Sequence, residues 1–346
     1  MKTIKIMSSL LFCIGLTQAF ATEKIEMSEY MIPSDSPGIS LYVRNKHLAS
    51  LKKFTPEKTL LYVHGSTYPS ETAFDLSLGG VSWMDYMAKR GYDVWLVDLR
   101  GYGKSTRPPE MDQAAELNLP LVRTDVAVKD VSSAVDYILK KRNISQMNLL
   151  GWSWGTTIMG KYTTEHNDKV NKLILYAPQW LRQGGPSLTD TGGPLGAYRV
   201  ASIDDAKKRW LAGVPEHAKS SLIPEGWFDQ WAQATFETDP WGKNQSPKKL
   251  RAPNGTVQDV RDYWAAGKPV YDPKEIRVPV MLVHAEWDAD LPSYMLYEYF
   301  KQLDNAPYKT MLQISEGTHT LLMEKNRMLM FAGVQDFLDA SFEPEK

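Results

Sequence analysis

A chain of 346 residues with 40 Lys plus Arg against 41 Asp plus Glu has almost no net charge, which removes the electrostatic case for nucleic acid or an anionic membrane surface as partner. Hydrophobic residues at 43% and charged residues at 23% exclude a disordered chain and allow a sizeable core, in one large domain or two small ones. The single cysteine, Cys13, lies so close to the N-terminus that a cysteine nucleophile, a disulfide framework and a cysteine-ligated metal are excluded for the rest of the chain.

The first element is an expected export signal. Met1 to Lys5 is short and basic, Ile6 to Leu16 is apolar and uncharged, and Ala19-Phe20-Ala21 puts small residues where a signal peptidase reads. Residues 1–21 are therefore expected to be cleaved off after Ala21. The apolar run falls short of the about 20 residues that a membrane span needs. An uncleaved N-terminal anchor is the competing reading. The mature chain is expected to be periplasmic or secreted, without a stable membrane span and without a thiol, which suits an oxidising compartment.

Strand-like and helix-like segments then alternate. Short apolar runs at Leu60 to Val63, Val94 to Val97, Met147 to Leu150, Lys172 to Tyr176, Val278 to Val283 and Met311 to Ile314 each end at turn residues. Such runs read as strands buried on both faces. Between them, Val122 to Arg142 carries Val128, Val131, Val135, Ile138 and Leu139 at helical spacing, with acids toward its start and Lys140, Lys141 and Arg142 at its end. The alternation predicts an α/β fold with a mostly parallel, doubly wound sheet. From Leu181 to about Asp272 the rhythm stops. This stretch holds Trp210, Trp227, Trp231, Trp241 and Trp264 and reads as a mainly helical insertion, residues 181–271. It divides a core made of residues 22–180 and 272–346.

Gly151-Trp152-Ser153-Trp154-Gly155 follows a strand and precedes a helix-like stretch. That is the setting in which G-x-S-x-G forms a sharp turn with the serine at its apex. The glycines let neighbouring backbone approach without a Cβ clash. The helix start offers free N–H groups to a developing negative charge. Ser153 is the candidate nucleophile.

Serine needs a base. Of six histidines, His47 and His166 read as surface residues, and His217 sits beside Glu216 and Lys219 on a solvated face. His64 and His284 end strands, where they brace loops. His64 is also counted with Trp152 and Thr67 among the candidate substrate contacts. His319 follows the last strand in Glu316-Gly317-Thr318-His319 and can swing over the strand ends, so it is the candidate base, with His284 in reserve. The acid is expected on the loop after a strand, in Glu286-Trp287-Asp288-Ala289-Asp290. Asp288 has the reach required, and Glu286 and Asp290 are its competitors, each with a simpler reading as a loop or capping residue. The oxyanion donors are expected to be the N–H groups of Trp154 and Ser66, with Thr67 as the alternative to Ser66.

With these residues assembled, the chain resembles the α/β-hydrolase superfamily with a lid. The resemblance covers about residues 58–178 and 278–338. It rests on His64-Gly65, on Asp98 to Ser105, on the elbow, on the Asp288 loop and on Gly317-Thr318-His319. It implies a cap at residues 181–271 and a triad in the chain order Ser, Asp, His. Haloalkane dehalogenases and epoxide hydrolases carry Asp at the apex, and Ser153 argues against both. Prolyl aminopeptidases are similar at Trp154-Gly155, but their Gly-Gly-Pro-Gly after the first His is missing here. C–C bond hydrolases share the triad but are usually not exported. The expected activity is hydrolysis of a small or medium carboxylic ester in an aromatic pocket, through an acyl-enzyme, with no metal or organic cofactor. Prolyl-aminopeptidase-like or C–C bond cleavage is the alternative. A ligand-binding protein that kept the fold is the competing class. The expected partner is a small-molecule substrate, and the oligomeric state is left open.

Overall fold

The computed structural model describes residues 24–184, 186–190 and 192–342. The expected export signal lies outside these residues. In chain order the strands are β1 (Ile25–Pro33), β2 (Ser40–Leu48), β3 (Thr59–Val63), β4 (Asp93–Val97), β5 (Met147–Trp152), β6 (Val170–Tyr176), β7 (Tyr198–Ser202), β8 (Lys249–Pro253), β9 (Val280–Ala285) and β10 (Lys309–Ile314). The α-helices are α1 (Ser70–Phe74), α2 (Trp83–Ala88), α3 (Thr124–Arg142), α4 (Trp154–Glu165), α5 (Ile203–Trp210), α6 (Lys219–Leu222), α7 (Trp227–Phe236), α8 (Gly255–Asp259), α9 (Ser293–Gln302) and α10 (Arg327–Asp339).

Eight strands make one sheet in the order β1-β2-β4-β3-β5-β6-β9-β10. From β4 to β10 every neighbouring pair is parallel, while β1 and β2 join antiparallel at one edge. Every residue of β3, β4, β5 and β9 is buried, which is why these strands are continuous apolar runs and not alternating ones. Helix α3 buries Val128, Val131, Val135, Ile138 and Leu139, the stripe its sequence announces. It stops at Asn143, whose left-handed backbone (φ 52°) ends the helix.

Strands β1 and β2 were not anticipated. In β1, Met27 and Met31 stand exposed on the face opposite buried Ile32, so apolar residues on both faces cancel the period-two signal. In β2, Arg44 and Asn45 interrupt the apolar run, yet both are buried. Asp75, Glu29 and Glu71 hold the first, and Asp93 and the Val94 carbonyl hold the second.

The insertion between β6 and β9 is mainly helical, as expected, but β7 and β8 also form a two-stranded antiparallel ladder within it. Both are five-residue strands of mixed polarity, too short and too polar to register as periodic. Of its tryptophans, Trp210, Trp231 and Trp264 are buried, whereas Trp241 is 41% exposed. Among the described residues, no helix is long and apolar enough to cross a membrane.

Candidate active site

Strand β5 runs into helix α4 with one residue between them, Ser153. Its backbone sits at φ 58°, ψ −121°, a region that a non-glycine residue enters only under strain, of order 1–3 kcal/mol. The flanking glycines are required by close approach. A Cβ on Gly151 would lie 2.2 Å from the Gly155 carbonyl oxygen, and one on Gly155 would lie 2.6 Å from the Val63 carbonyl oxygen. The elbow is therefore clamped between its own helix and strand β3. Trp154 opens α4, so its N–H has no acceptor inside the helix and remains available above the apex. The indole Nε1 of Trp154 donates to Thr124 Oγ1 at 3.0 Å, which fixes the start of that helix to α3.

His319 and Ser153 line one chamber at the carboxyl ends of the strands, with Ser66, Thr67, Trp152 and Asp290 among its walls. The His319 Nδ1–H donates to Asp288 Oδ2 at 2.8 Å, leaving Nε2 free to accept. Asp288 is buried, and its other oxygen accepts the Leu291 N–H at 2.9 Å. Burial alone would push this carboxyl up, but the His319 charge and hydrogen bond outweigh it and hold it below its ordinary value. For His319, burial pulls the imidazole down, and the carboxylates of Asp288 and Asp290 more than offset this, so its net shift is upward. Among the described residues, no hydrogen bond engages the Ser153 hydroxyl. The base-bearing loop is anchored twice through the His319 carbonyl, which accepts from Trp152 Nε1 at 3.0 Å and Tyr176 Oη at 2.8 Å. The Trp287 N–H donates to the Gly317 carbonyl at 2.8 Å and ties the acid loop to the base loop.

Ser66 lines the same chamber, and its carbonyl is held by Tyr102 Oη at 2.9 Å and Arg199 Nη2 at 2.7 Å. The Thr67 hydroxyl accepts from Arg199 at 2.9 Å and Arg209 at 3.2 Å. Trp152 faces the chamber and also braces the base.

His64 has to be corrected as a substrate contact. It is fully buried behind the chamber wall. Its Nε2 accepts the Leu99 N–H at 3.1 Å and its Nδ1 donates to the Gly65 carbonyl at 2.7 Å. Burial pulls its pKa down to about 4, against the opposing effect of the Gly65 bond. A neutral imidazole with one donor and one acceptor satisfied is a loop brace. His284 is likewise buried, with Nε2 on the Leu291 carbonyl at 2.8 Å.

Asp290 is more than the loop or capping residue it resembled. Its Oδ2 lies 2.7 Å from Arg209 Nε and 4.0 Å from His319 Nε2. Sequence reasoning expected a Trp-rich cap over an aromatic pocket but did not single out Arg209 or say which tryptophans face the site. Arg209 and Trp210 of α5 and Trp231 of α7 close over the chamber. Trp210 Nε1 donates to buried Glu324 Oε1 at 2.8 Å, and Glu324 also accepts from the N–H of Thr318 at 2.9 Å and from its hydroxyl. No motif marks these residues, because each acts through a partner far away in sequence. Among the described residues, no cluster of three or more His, Cys, Asp or Glu could hold a metal ion.

A family model described as the alpha/beta hydrolase fold matches residues 58–326. Protein ABHD8 of Bos taurus is 25% identical over 298 residues, covering 81% of this chain and 58% of that protein. The chain thus spans a little over half the length of that relative. AB hydrolase superfamily protein YisY of Bacillus subtilis strain 168 is 29% identical over 230 residues, 64% of this chain and 71% of that one. Among solved structures, the 2-hydroxy-6-oxo-6-phenylhexa-2,4-dienoate hydrolase of Rhodococcus sp. strain RHA1 superposes with a TM-score of 0.62 at 13% identity, over 92% of this chain and 100% of that one. At that identity the likeness is one of fold.

Proposed function

The chain belongs to the α/β-hydrolase family, and on that footing we propose that it is an exported serine hydrolase cleaving a small or medium carboxylic ester through Ser153, His319 and Asp288. The observation that carries the reading is the 2.8 Å bond from His319 Nδ1 to Asp288 Oδ2 in the chamber that Ser153 also lines. It fixes the tautomer that leaves Nε2 as the acceptor.

In the proposed reaction His319 Nε2 takes the Ser153 proton as the oxygen attacks the ester carbonyl. Such bonds to the nucleophile are often long without substrate and tighten once it binds. The N–H groups of Trp154 and Ser66 hold the oxyanion, a contribution worth about 3–4 kcal/mol per donor in related chemistry. His319 then protonates the leaving alcohol, and water attacks the acyl-enzyme by the same route. Asp288 stays ionised throughout, since its partner keeps its proton affinity low.

The aromatic surroundings, Trp152, Trp210 and Trp231, favour an organic acyl or alcohol group over a peptide backbone. Export is part of the same proposal and rests on residues 1–21 alone. The full chain should turn over 4-nitrophenyl esters and take a fluorophosphonate label, and Ser153→Ala should lose both while keeping its fold by circular dichroism. Retained turnover or labelling in that variant removes the nucleophile assignment. A folded wild-type protein that neither reacts nor labels makes the chain a binding protein.

A further inference from the structure

The surroundings of Ser153 are cationic. Arg182 and Arg209 border cavities that Ser153 lines, and Arg199 borders the adjoining one. Among the described residues, of these three only Arg209 has a carboxylate partner, Asp290 at 2.7 Å. Arg182 donates to the Asp290 carbonyl at 2.6 Å. Arg199 donates to the Ser66 and Pro253 carbonyls, both at 2.7 Å, and to the Thr67 hydroxyl at 2.9 Å. All of these acceptors are neutral, and among the described residues neither Arg182 nor Arg199 meets a carboxylate at ion-pair distance. Burial pulls the Arg199 pKa down, and the phenols of Tyr102 and Tyr68 oppose it only in part. A half-buried guanidinium without a counter-charge is unfavourable on its own, and a bound anion would supply the missing charge.

Beside the catalytic chamber there is room for such an anion. The chamber beside Ser153 has only about 20 Å³ of free volume, room for roughly one water. Next to it lies a cavity of about 460 Å³ lined by Arg199, Lys208 and Arg209, with Asp205 as the one carboxylate on its wall among the described residues. The two cavities share Thr67, Tyr68, Ala206 and Arg209, so a single wall of side chains separates them. Leu188 and Val200 add exposed apolar surface to the larger cavity.

We propose that this second cavity is a carboxylate subsite, and that the substrates are esters bearing a carboxylate several bonds from the scissile carbonyl, such as half-esters of dicarboxylic acids. The methylene chain lies along Leu188 and Val200, and the carboxylate meets Arg199 and Lys208 in charge-assisted hydrogen bonds. Hydrolysis then breaks the ester C–O bond, releases the alcohol with the proton from His319, and frees a dicarboxylate by attack of water. The inference rests on Ser153 being the nucleophile.

The test compares mono-(4-nitrophenyl) adipate with 4-nitrophenyl hexanoate, which match in chain length and differ in the terminal carboxylate. For the full chain, kcat/KM should favour the adipate by roughly tenfold or more, and the advantage should shrink as salt is raised. Arg199→Met should bring that ratio close to one. Should Arg199→Met fail to fold, Lys208→Met at an exposed position should lower the same ratio severalfold. Turnover of hexanoate without preference for adipate overturns the subsite and leaves the serine-hydrolase reading intact. A preference that survives both substitutions overturns the assignment to these cations. No turnover of either ester sinks the nucleophile reading and the subsite together.

Discussion

His319 has carboxylates on both sides, and this decides how it titrates. Asp288 holds Nδ1 at 2.8 Å, while Asp290 lies 4.0 Å from Nε2, the nitrogen proposed to accept the serine proton. Both charges favour the imidazolium, and Arg209 works against them. Only the neutral imidazole can act as base, so the acidic limb of the pH profile follows the His319 pKa. Asp290→Asn removes one charge that raises it and should move that limb of kcat/KM to lower pH. Arg209→Met removes the opposing charge and should move it to higher pH. Equal or absent shifts in a nitrophenyl-ester pH profile would show that Asp290 does not act on the base. Asp288 and His319 could be found in the sequence because each stands at a predictable distance past a strand. The part played by Asp290 could not, since its partner Arg209 is 81 residues away in the insertion. His64 was read both as a loop brace and as a substrate contact, and only its burial shows that the first reading holds.

Strand β5, the elbow and helix α4 form an element whose geometry its glycines set. Gly155 lets α4 approach strand β3 so closely that any Cβ there meets the Val63 carbonyl oxygen at 2.6 Å and the His64 carbonyl oxygen at 2.8 Å. These are rigid backbone atoms, and relief requires moving the helix. Gly155→Ala should therefore lower stability by about 2 kcal/mol and reduce ester turnover in parallel, because the Trp154 N–H moves with the helix. Urea unfolding with an unchanged midpoint would contradict this. The elements buried on both faces, β3 to β6 and β9, were readable because apolar runs between turn residues have few other uses. Strands β1, β2, β7 and β8 were not. Their pairing depends on ladders to neighbours, and on charged partners such as Asp75 for Arg44, that no local pattern encodes.

Across the whole molecule, the insertion is fastened to the core by polar contacts around the chamber: Arg199 on Ser66, Arg209 on Asp290, and Trp210 on Glu324. Glu324 is fully buried, has no cationic partner among the described residues, and supports the loop that carries His319 through Thr318. Burial pushes its carboxyl from the ordinary 4.5 up to about 7, against hydrogen bonds from Thr318 and Trp210 that favour the charged form. Between those pH values the folded protein keeps a proton that the unfolded chain has released, so this group's stabilisation is complete below about 4.5 and is lost as the pH rises through about 7. Glu324→Gln cannot titrate. The melting temperature of that variant, measured relative to wild type, should therefore rise steadily across the same window and level off above it. Asp98, pushed up to about 6 by burial, titrates in both proteins and cancels in the difference. A difference that stays flat with pH would mean that Glu324 remains charged throughout. Its bond to Trp210 would then be an ordinary fixed contact, and the joint between the insertion and the loop carrying His319 would not respond to protons.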